Sequence, residues 1–124
     1  MTAAPRPGRQ SGDAEVRRWQ RWSARALVKL LALADEERLP PLRWVVKQGL
    51  DVVGHVPQGD GDPAWIRAAF DRWVTAVGVD VYREETAEGV PGSRLVGQTL
   101  FRVDARHPQV RVTILAELLP EVTE

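Results

Sequence analysis

Advancing 100° per residue from Arg17, the apolar side chains Val16, Trp19, Trp22, Ala26, Leu27, Leu30, Leu31, Leu33 and Ala34 fill an arc from roughly 140° to 320°. The opposite arc holds Arg17, Arg18, Arg21, Arg25 and Lys29, with Val28 as its one apolar intruder. This is the signature of an amphipathic helix with a basic outer face. Asp13 is a suitable N-cap, and Pro40 and Pro41 forbid continuation, so the helix is expected from Asp13 to about Arg38. Residues 1–12, with Pro5, Pro7, Gly8 and Gly12 and almost nothing to bury, are expected to form a disordered tail.

After the prolines, LRWVVKQGLDVVGHV places two β-branched runs around Gln48–Gly49, which predicts a hairpin turning on the glycine. With a two-residue turn, Trp44, Val46 and Val53 share one face. A second helix is marked by Asp62 as N-cap, Pro63 at the first helical position and Gly78 just past the end. Trp65, Ile66, Ala69, Phe70, Trp73, Val74 and Val77 occupy one half of its wheel. Three strands follow, near 79–85, 94–104 and 110–119, and Val110, Val112, Ile114, Ala116 and Leu118 alternate onto one side of the last. Short links favour antiparallel neighbours. The order α-β-β-α-β-β-β therefore predicts one α+β domain over residues 13–120, with a five-stranded, mainly antiparallel sheet and both helices on one face.

Charge changes the picture in the first quarter of the chain. The whole is neutral, with 17 basic and 17 acidic residues, yet residues 1–30 carry seven basic side chains against Asp13 and Glu15. That segment is +5 and the remainder −5. Four of the cations, Arg17, Arg21, Arg25 and Lys29, stand four residues apart, where like charges repel by a few tenths of a kcal/mol per pair. The absence of cysteine removes disulfides, thiol nucleophiles and thiolate metal sites. With no secretory signal and no apolar run of about 20 residues, a soluble cytoplasmic protein is expected, without membrane contact. Arginine outnumbers lysine 15 to 2, which fits a high-GC genome.

Candidate chemistries fall away one by one. GDGDPA, Gly59 to Ala64, with Asp80 downstream, imitates a dinucleotide fingerprint. Asp60 and Asp62 would repel a pyrophosphate, however, and Pro63 removes an amide donor from the helix start that should hold it. A capped helix start accounts for every residue. The Asp-x-Asp of that loop lacks the further ligands of a calcium loop. His55 is expected half-buried on a hairpin strand and His107 solvated in a turn, neither with a second histidine at metal-ligand spacing. Ser11, Ser23 and Ser93 lack a nucleophile-elbow context. No catalytic residue, cofactor or metal is assigned. Four of the five tryptophans, Trp19, Trp22, Trp65 and Trp73, lie on apolar helical arcs, Trp22 and Trp65 at the edges.

From Leu39 to Leu119 the cadence of LPPLRWVV, AFDRWVTAVGVDV and VRVTILAEL resembles small actinobacterial proteins often met near phage-like or other mobile elements. The resemblance rests on Trp44, Trp73, Gly78 and the closing strand, implies the same sheet-and-helix arrangement, and brings no activity. It leaves out the basic helix. The expected function is thus a non-enzymatic interaction or accessory protein that binds another protein or itself through Arg17, Arg18, Arg21, Arg25, Lys29 and Trp22. The alternatives are a nucleic-acid accessory protein using the same helix, and a small-ligand or enzymatic site in the sheet's concavity.

Overall fold

The computed structural model describes residues 7–59, 61–79, 81–86, 88, 89 and 91–119. Its elements run α1 (Pro7–Glu37), β1 (Arg43–Lys47), β2 (Asp51–His55), α2 (Pro63–Val77), β3 (Tyr82–Glu85), β4 (Ser93–Arg102) and β5 (Gln109–Leu118). The five strands form one sheet in the order β1-β2-β5-β4-β3. Three of its four pairings are antiparallel, and the fourth, β2 with β5, is parallel. Both helices cover the same face, as the order of elements predicts. No helix among the described residues is long and apolar enough to cross a membrane.

Helix α1 starts at Pro7, six residues before the expected Asp13 cap, so residues 7–12 of the anticipated tail are helical. Proline is well tolerated in a first turn, where its missing N–H has no intrahelical partner. Residues 1–6 of that expected tail lie outside the described residues. At the other end, Arg38 adopts φ 53° and Leu39 N donates to Ala34 O at 2.9 Å, closing a Schellman-type cap on a residue other than glycine. Arg72 of α2 donates to the carbonyl oxygens of Glu37 and Arg38, at 3.3 and 2.6 Å.

Helix α2 has the predicted ends. The Asp62 carboxylate accepts from Ala64 N at 3.0 Å, and Gly78 lies in the left-handed region with its N–H on Val74 O. Its inner stripe, Ile66, Ala69, Phe70, Trp73 and Val74, is buried, whereas Trp65 is 45% exposed. Trp73 is fully buried and its indole N–H donates to Pro40 O at 2.6 Å, which ties α2 to the α1–β1 connection.

The hairpin register corrects one expectation. Lys47 pairs with Asp51, so the turn holds three residues rather than two, and Trp44 and Val46 lie opposite Gly54 and Val52. Val53 pairs with Val45 and faces the other way, because a slip of one residue exchanges the faces of a strand. Beneath the helices one row crosses the sheet: Trp44, Gly54, Ile114, Gly97 and Tyr82. The two glycines are places of close approach. A Cβ on Gly54 would lie 2.8 Å from both Leu42 and Trp44 side-chain atoms, and one on Gly97 would lie 2.8 Å from Val74 Cγ1. Over these gaps the edge-strand aromatics reach α2, Trp44 edge-on to Trp73 at 5.4 Å and Tyr82 edge-on to Phe70 at 5.0 Å between ring centroids.

Candidate functional site

The basic helix is held down by its inward stripe. Ser23, Ala26 and Leu30 are fully buried, and Ala26 packs with Val52 and Val110 beneath it. Ser23 Oγ donates to Gly49 O at 3.3 Å, pinning the helix over the hairpin turn. At 1.5 Å per residue α1 is about 46 Å long, and this anchored portion starts near its middle.

On the outer side, Arg17, Arg18, Arg21, Arg25 and Lys29 are all exposed, while Trp22 is half-buried. The structure divides the cations into two groups. Lys29 Nζ donates to Val103 O at 2.9 Å, and the Arg25 guanidinium lies 4.9 Å from the centre of the Trp22 ring. Those two are engaged with their own fold. Arg17, Arg18 and Arg21 make no hydrogen bond or ion pair with any described residue. None of the five meets a carboxylate among the described residues; the ion pairs of arginine there are Arg67–Glu84, Arg83–Glu85 and Arg94–Glu117.

Trp22 has a partner that the sequence did not disclose. The ring of His107 lies 4.1 Å from it, tilted by 45°. His107 is therefore not the solvated turn residue expected. Its Nδ1 sits 2.7 Å from Asp104 Oδ2, a contact aligned short of a hydrogen bond and charged only when the imidazole is protonated. Asp104 Oδ1 accepts from Arg106 N at 2.8 Å and so holds the turn. Arg25, Trp22, His107 and Asp104 thus form one continuous stack between α1 and the β4–β5 turn. The sequence signal was faint: an edge-of-arc tryptophan and a histidine 85 positions apart.

Other places offer less. One concavity is lined by Glu84, Glu85, Pro91, Arg94, Glu117 and Leu119, but each of its three glutamates is already paired with an arginine. No group of three or more metal-binding side chains comes together among the described residues. His55 and Tyr82 do not converge, since they stand on opposite faces with two strands between them. In the GDGDPA loop Asp62 is occupied as the helix cap; Asp60 and Asp80 lie outside the described residues. The helix-free face of the sheet carries Val45, Leu100 and Leu115 with the buried Val53 and Val96, amid Arg43, Lys47 and Arg111; the expected two-residue turn places Val53 on the other side.

No protein family, curated protein or solved structure matches the chain.

Proposed function

We propose that this is a small interaction or accessory protein that binds another protein surface through the outer face of α1, without a catalytic step of its own. One observation carries the reading: five exposed cations line one side of a helix that is firmly seated by its other side, and none finds a carboxylate among the described residues. Packing this much like charge on one face weakens the helix slightly. A partner surface bearing carboxylates would reverse that effect.

A nucleic-acid partner is the second reading, favoured by a column of about 18 Å from Arg17 to Lys29. Against it, Arg25 and Lys29 are drawn onto Trp22 and Val103. Asp35, Glu36 and Glu37 end the same helix, and zero net charge gives no long-range attraction to a polyanion.

The deciding experiment is binding of duplex DNA across a salt series, with Arg21→Glu/Arg25→Glu as the control. The protein reading expects negligible DNA binding near 150 mM salt, where a true phosphate-binding column loses about 0.9 log units of affinity per log unit of salt for each phosphate neutralised. Micromolar DNA binding that falls steeply with salt and vanishes in the double variant would overturn it.

A further inference from the structure

The outward side of α1 contains more than charge. Arg17, Arg21, Ala24, Val28, Leu31 and Asp35 are spaced 4, 3, 4, 3 and 4 residues apart, the spacing of a coiled-coil seam, and all six are exposed. Val28 is 66% exposed and Leu31, expected within the apolar arc, is 47% exposed. The seam is therefore apolar in its middle, basic at its N-terminal end and acidic at its C-terminal end. Asp35, Glu36 and Glu37 also occupy the last helical turn, which holds no basic residue and where the helix dipole disfavours negative charge by about 0.3–1 kcal/mol each. Their position is not one that stabilises α1 alone.

We propose that the partner of this face is a second copy of the chain, its α1 laid antiparallel on the first. This rests on the reading of α1 as the interaction surface and names its occupant. Two-fold antiparallel pairing is the arrangement in which such a polar seam complements itself. Arg17 then faces the second copy's Asp35, Ala24 faces its Val28, and Arg21 faces its Leu31, each contact made twice. A parallel pairing would instead set Arg17 on Arg17 and Asp35 on Asp35. The approach is open, because the seam points away from the sheet, opposite the buried Ala26 and Leu30. Arg25, the cation nearest the two-fold axis, is already drawn aside over Trp22. A single helix pair of this size belongs with weak, transient associations rather than obligate dimers.

The test is sedimentation equilibrium of the full chain at up to about 500 µM protein in low salt, a range that registers weak dimers, with circular dichroism to confirm that each surface variant is folded. The wild type should dimerise reversibly. Arg17→Glu and Asp35→Arg, each alone, should weaken the dimer about tenfold or more, as like charges meet across the seam twice. Arg17→Glu combined with Asp35→Arg in one chain should restore it, because both pairs invert together. Since the chain has no cysteine, a mixture of Ala24→Cys and Val28→Cys variants should also cross-link on oxidation, faster than either variant alone. A monomeric wild type throughout, a combined variant that fails to recover, or an Asp35→Arg variant without effect would overturn the self-pairing. If Arg17→Glu instead abolishes binding to an acidic protein while Asp35→Arg does not, the occupant is wrong and the α1 reading survives. Salt-sensitive DNA binding would remove both.

Discussion

Trp22 and His107 meet with their ring centres 4.1 Å apart and their planes tilted by 45°, and beside the bond from Lys29 to Val103 O this contact ties α1 to the turn between β4 and β5. A close aromatic pair contributes about 0.5–1.5 kcal/mol beyond the area it buries. Trp22→Ala is expected to cost about 1–2 kcal/mol and His107→Ala somewhat less, with a double-mutant coupling of about 0.5–1.5 kcal/mol. Denaturant melts of the three variants measure it. A coupling near zero would mean that the rings are neighbours without mutual stabilisation, and hydrogen exchange at residues 104–107 would then be unchanged by Trp22→Ala.

Trp73 is fully buried beneath α2 and donates its indole N–H to Pro40 O. Trp73→Ala should destabilise by about 3–5 kcal/mol through the cavity it leaves. Trp73→Phe keeps most of the packing but orphans the carbonyl, and is expected to cost about 1–3 kcal/mol. Equal losses from the two substitutions would show that the hydrogen bond, not the volume, governs this site.

Gly97 lies under α2, where an added Cβ would come within 2.8 Å of Val74 Cγ1. Gly97→Ala should lower stability by about 1–3 kcal/mol, the usual penalty of overpacking, although alanine is the better residue for chain entropy. Combining it with Val74→Ala should recover part of the loss. Failure to recover would place the strain in the strand backbone instead of the helix contact.

Arg38 caps α1 in the left-handed region, at φ 53°, where a side chain is unfavourable by about 1–2 kcal/mol relative to glycine. The bonds from Arg72 reach the carbonyls of Glu37 and Arg38 and do not need the Arg38 side chain. Arg38→Gly is therefore expected to raise stability by about 0.5–1 kcal/mol after glycine's own entropic cost. A fall in melting temperature would reveal a contact made by the guanidinium.

These elements differ in how plainly the sequence announced them. Helix α2 was legible at both ends because Asp62, Pro63 and Gly78 act locally, through a cap, a fixed φ and a left-handed residue. The element order and the two-layer arrangement followed from periodicity alone. The side on which Val53 lies was misplaced, since Gln48–Gly49 suits a two-residue turn and only the pairing of Lys47 with Asp51 shows that Leu50 belongs to the loop. The start of α1 at Pro7 was hidden by a proline that ends helices elsewhere but is harmless in a first turn. The cations of the candidate surface were legible as a stripe. Their division into tied and free groups was not: Lys29 is tied by Val103, which approaches α1 only through tertiary folding, and the Trp22 ring that Arg25 lies over is itself packed on His107 from the β4–β5 turn.

The parallel ladder of β2 with β5 sets the order in which this chain can become a protein during synthesis. Among the described residues β5 leaves the ribosome after the other six elements, yet it occupies the centre of the sheet, with β2 on one side and β4 on the other. Until it arrives, the β1–β2 hairpin and the β3–β4 hairpin share no edge, and Phe70 and Trp73 have no Ile114 to rest on. A nascent chain stalled before Gln109 is consequently two unfinished halves instead of a smaller domain. Its apolar helix face stays open to chaperones or aggregation until β5 threads between them.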